Sequence, residues 1–129
     1  MLKYVTLAAA LAFATPVMAH SDSKFTKGPN GGHIVDAGGG SQHLELTASG
    51  HELTLYVSDA GEKPVNTAGG RAEAQVLVSG KKHTITLAPA GGNIMQGQGE
   101  FVAKKGMRVI LKTQNVGGAS HQVRLTPLN

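Results

Sequence analysis

Six histidines, His20, His33, His43, His51, His83 and His121, are the residues of this 129-residue chain best equipped for chemistry. There is no cysteine, so a thiolate nucleophile, a thiolate ligand and a disulfide are all excluded. Imidazole binds copper, zinc and nickel well, and the thioethers of Met95 and Met107 favour Cu(I). A metal site here must therefore draw on histidine, methionine, carboxylate or a chain terminus. Catalytic patterns are missing. No G-x-S-x-G elbow and no H-E-x-x-H pair occurs, and no glycine-rich stretch follows a strand and opens a helix as a phosphate loop must. The pattern is that of a non-enzyme.

Sequence neighbours sort the histidines. His33 stands between two glycine clusters in "GPNGGHIVDAGGG". His43 alternates with Leu44 and Leu46, so it should face away from the core, with Glu45 beside it on the same face. Two such groups can share a cation, or simply form a polar solvent face. His33 and His43 flank Gly38–Gly40 and approach each other if that run turns the chain back, which makes them the first candidates. His51, His83 and His121 each open a strand in phase with the apolar residues that follow, at an end of the fold above its core. His51 and His121 are the second candidates, with Glu45 or Met95 as completing ligands. For Met95 a place in the core is the competing role.

These residues must be positioned by short strands. "QHLELTA" and "HELTLYV" alternate around "SG" and read as a hairpin. "RAEAQVLV" and "KHTITLA" read as a second hairpin, and "EFVA" with "MRVILKT" as a third across Lys104-Lys105-Gly106. "HQVRLTP" closes the chain. Strand signals recur about every ten residues with glycine turns between them and no helical period, a rhythm that predicts an all-β antiparallel sandwich or small barrel. The expectation is one domain over residues 31–127, of seven or eight short strands, immunoglobulin-like or cupredoxin-like. Residues 20–30 read as a flexible lead-in.

The first nineteen residues, "MLKYVTLAAALAFATPVMA", have a basic start, a short apolar run and small residues at Val17 and Ala19. This is the pattern of a cleavable secretory signal peptide, and the run is too short to span a bilayer. Cleavage after Ala19 would make His20 a terminal residue whose amine and imidazole can chelate Cu(II) together. The expected location is the periplasm, with no membrane insertion after cleavage. The formal charge of +4 becomes +3 without Lys3. Lys81-Lys82 and Lys104-Lys105 adjoin glycine turns, where solvated lysines are usual. With no interleaving of aromatics among them, nucleic acid is not an expected partner.

"GPNGGHIVDAG", "HLELT", "LTLYVSDAGEKPVNTAGG" and "TLAPAGGNIMQG" together resemble small periplasmic proteins associated with heavy-metal efflux. They are also similar to the extra N-terminal domain of some periplasmic adaptor subunits of heavy-metal RND efflux pumps. The resemblance covers roughly residues 28–127. It implies a compact β-sandwich that handles copper, zinc or a similar cation and meets a periplasmic efflux component. It makes His33, which follows the Gly31-Gly32 pair, a candidate by position. The chain has none of an adaptor's hairpin helices, so it would act as a free metal-binding or accessory protein. The rival reading is a cell-envelope structural or protein-interaction module with no metal site.

Overall fold

The computed structural model describes residues 25–129. The expected signal peptide, its cleavage site and His20 lie outside them. Eight strands form one continuous sheet: β1 (His33–Ala37), β2 (Gln42–Ser49), β3 (Glu52–Asp59), β4 (Arg71–Val78), β5 (Lys81–Pro89), β6 (Ile94–Gln98), β7 (Arg108–Val116) and β8 (Ala119–Leu125). Their order is β1-β2-β3-β6-β5-β4-β7-β8, and every neighbouring pair is antiparallel. The sheet curls until its edge strands β1 and β8 lie alongside each other, giving a nearly closed barrel. The all-β antiparallel class expected from the sequence is thus the class found.

Alternation dictates which face is buried. Leu44, Leu46, Leu53, Leu55, Val57, Ala74, Val76, Leu87, Val109 and Leu111 fill the interior, with Met95 and Phe101 completing it. With no tryptophan in the chain, aliphatic side chains interdigitating across the barrel carry the core. The expected strand "EFVA" does not form. Residues 99–103 instead cross the end of the barrel, with the amide of Gly99 bonded to the His51 carbonyl and that of Ala103 to the Gly50 carbonyl. Phe101 is the physical reason: its ring is fully buried and caps the core. The strand that pairs with β3 is β6, one segment earlier, where Met95 lies opposite Leu55.

The β1–β8 seam carries no continuous ladder, and two local contacts close it. At one end the Thr126 amide donates to Nδ1 of His33 at 2.8 Å. At the other, Gly38 adopts φ 59° and comes so near the His121 ring that a Cβ at this position would overlap it. Gly38–Gly40 form a 3₁₀ turn between β1 and β2. The segment before β1 is tied down. Lys27 bridges to His33, the Gly28 amide donates to the Gly32 carbonyl at 2.8 Å, and that of Ile34 to the Thr26 carbonyl at 2.9 Å. These contacts hold residues 26–28, at the end of the expected lead-in, against β1.

Candidate functional site

The β1–β2 register decides the geometry of the two leading histidines. His33 lies opposite Leu46, and His43 opposite Asp36. Val35 and Ala37 share the inner face with His33, whereas Asp36, His43, Ile34 and Glu45 share the outer one. His33 and His43 thus stand on opposite faces and do not meet. The turn does bring the chain back, as expected, but it pairs His43 with Asp36.

That pair is well formed. His43 Nδ1 lies 2.7 Å from Asp36 Oδ1 on the outer face. A carboxylate can only accept, so the ring N–H at Nδ1 is the donor and the lone pair is left on Nε2. A ring nitrogen that donates to a carboxylate while the other stays basic is the usual arrangement of a metal-ligating imidazole. His51, which is exposed, shows the same logic with a different acceptor: its Nδ1 lies 2.6 Å from the Phe101 carbonyl, which again leaves Nε2 as the basic nitrogen.

His33 is arranged the other way. Its Nδ1 accepts from the Thr126 amide, so its proton is on Nε2 and neither nitrogen presents a free lone pair. The ring is 5% exposed, with the Phe25 ring 5.1 Å away, and burial lowers its pKa from 6.5. Ligation by His33 would require breaking its bond to the C-terminal segment.

Glu45 shares the outer face with His43 as the alternation predicts, but it is covered. The Asn30 amide and side-chain amide donate to it at 2.8 and 2.9 Å, and the Gly32 amide at 2.9 Å. Both its oxygens are engaged by the loop that folds over it. Gly28 is required in that loop, because a Cβ there would collide with the Glu45 carboxylate. Met95 is fully buried in β6.

His121 faces inward opposite Thr113, near the bulge between Thr113 and Val116. Its Nε2 is buried without a hydrogen-bond partner among the described residues. Gln42, 6% exposed, donates from Nε2 to the Val116 carbonyl at 2.9 Å, which turns its own Oε1 inward, also unpartnered. These two groups give the end of the barrel near the 3₁₀ turn a polar interior. His43 and His121 belong to this end, and His33, His51 and His83 to the other. Among the described residues, no three of His, Asp and Glu gather in a geometry that could hold a metal ion. Asp36 and Gln42 went unread as site residues. Counting the register back from the turn, with Ala37 opposite Gln42, would have found Asp36.

Comparison with protein families, curated proteins and solved structures finds no match to this chain.

Proposed function

We propose that this chain is a non-enzymatic periplasmic protein of heavy-metal homeostasis or efflux that binds a copper, zinc or similar cation reversibly through histidine. The observation that carries the reading is the His43–Asp36 pair: Asp36 holds Nδ1 at 2.7 Å and Nε2 is left to ligate. The sequence resemblance to efflux-associated periplasmic proteins supports the same reading. A single imidazole leaves most of the cation's coordination positions open to water or to a partner's ligands. That suits transfer to an efflux component better than storage.

The test is a titration of purified mature protein with Cu(I), Cu(II), Zn(II) and Ni(II), followed by thermal stability. Binding raises stability by about RT ln(1 + [L]/Kd), or ~2.7 kcal/mol at a hundredfold excess over Kd. His43→Ala should abolish the shift, and Asp36→Asn should weaken binding by about tenfold to a hundredfold. No shift with any cation would overturn the reading.

A second reading, an envelope interaction module without metal, draws on a specific observation. His33 is committed to Thr126, and Glu45 to Asn30 and Gly32. Two of the expected donors thus hold the fold together. An absence of cation binding would favour this reading.

A further inference from the structure

The two ends of the barrel differ in charge. At one end the β4–β5 turn, Ser79–Gly80, and the turn through Lys104–Gly106 flank a shallow depression. They bring Lys81, Lys82, Lys104, Lys105 and Arg108 to one rim. The register sets Leu77 between Lys82 and Arg108 on the outer face. Leu77 is 45% exposed, and Val102, on the segment crossing this same end, is 58% exposed. These are the exposed large apolar side chains among the described residues, and both belong to the lysine end. None of the cations is ion-paired among the described residues, where the pair found is His43–Asp36. Of the carboxylates at this end, Glu52 accepts from the Gln98 side chain at 3.0 Å, and Glu100 is exposed on the crossing segment.

We propose that this end seats the protein on the surface of an anionic lipid bilayer without crossing it. Cations outnumber carboxylates at this end and none is ion-paired among the described residues, so the surface attracts an anionic partner. The chemistry favours a lipid surface over an acidic protein. Lysine presents a mobile point charge, whereas planar, bidentate recognition of carboxylates is the work of arginine, and here lysines predominate. The charges are spread around an open, shallow depression and do not converge in a closed pocket, which matches a diffuse field of headgroups. A protein interface is usually anchored by a central aromatic side chain, but the aromatic of this end, Phe101, is fully buried. Leu77 and Val102 can dip into the headgroup layer while the lysines stay among the phosphates.

The experiment is co-sedimentation of mature protein with phosphatidylcholine vesicles, with and without phosphatidylglycerol, in the presence of a chelator. The chelator keeps the result independent of any cation binding. Binding should require phosphatidylglycerol and weaken as salt shortens the Debye length, about 10 Å at 0.1 M. Each of Lys81, Lys82, Lys104 and Lys105 changed to Gln should lower partitioning about fivefold, from about 1 kcal/mol per cation near the surface. Lys63→Gln, at the other end, should leave it unchanged. Leu77→Ser with Val102→Ser should weaken binding while keeping its salt dependence. Equal binding to neutral vesicles, or full binding by the fourfold lysine variant, would overturn the proposal. So would capture by polyglutamate without binding to the anionic vesicles.

Discussion

Glu45 shows how much one side chain can organise. Its carboxylate satisfies the amides of Asn30 and Gly32 and so fixes a loop that precedes it by more than a dozen residues. Glu45→Ala would leave the buried Gly32 amide unpaired, at about 1–3 kcal/mol, while water can take over the donors of the exposed Asn30. We expect a loss of about 1–3 kcal/mol in denaturant unfolding with an unchanged m-value. Gly28→Ala should cost about 1–3 kcal/mol through collision with the same carboxylate. The two losses should not add in the double variant, since each disturbs the same contact. Alternation placed His43 and Glu45 on one face, and they are on one face. It gave no hint that a loop covers Glu45, because two of the three donors are backbone amides, which leave no mark in residue type, and the third, the Asn30 side chain, lies in a turn fifteen residues away.

His33 makes a separate prediction. Burial lowers its folded-state pKa below 6.5, so the unfolded chain binds the proton more readily. The stability linked to His33 is complete above about pH 6.5 and is lost as the pH falls through the depressed folded value. Protonation also removes the lone pair that accepts from Thr126. His33→Asn, whose Oδ1 can take that amide, should reduce the difference between unfolding midpoints at about pH 7.5 and about pH 5. A pH dependence equal to that of the wild type would show that another group dominates.

At the level of elements, the seam between β1 and β8 is the weakest strand pairing. Amide exchange should therefore be fastest in β1 and β8 and slowest in β3 and β4, which are paired on both sides. Thr126→Pro deletes the donor to His33, and should speed exchange at Ile34 and Val35 while leaving β4 unaffected. Uniform acceleration across all strands would mean that the seam opens only with global unfolding. The hairpins β2–β3 and β4–β5 were legible, and so were the strands β7 and β8, because alternation and glycine turns are local; that β7 pairs with β8 and not with "EFVA" was not. β6 was not: Gly97 interrupts the alternation of "IMQGQ", while "EFVA" carries a better strand pattern. Burial of Phe101 at the barrel end overrides that local preference.

Across the whole molecule, opposite ends carry different chemistry. The glycine-rich end holds the 3₁₀ turn, the His43–Asp36 pair and the polar interior around Gln42 and His121. The other holds the lysine turns, the crossing segment and both described termini of the domain. Neither division could be read from the sequence, because it depends on how the strands are ordered around the barrel. Composition gave the sign of the net charge but not its location. β2 links the two ends directly. From His43 to Ser49 the strand advances roughly 20 Å, at about 3.3 Å per residue. With the lysine end resting on a bilayer, the barrel becomes a stand-off post. It would hold the imidazole of His43 clear of the lipid phosphates, which would otherwise compete for any cation bound there.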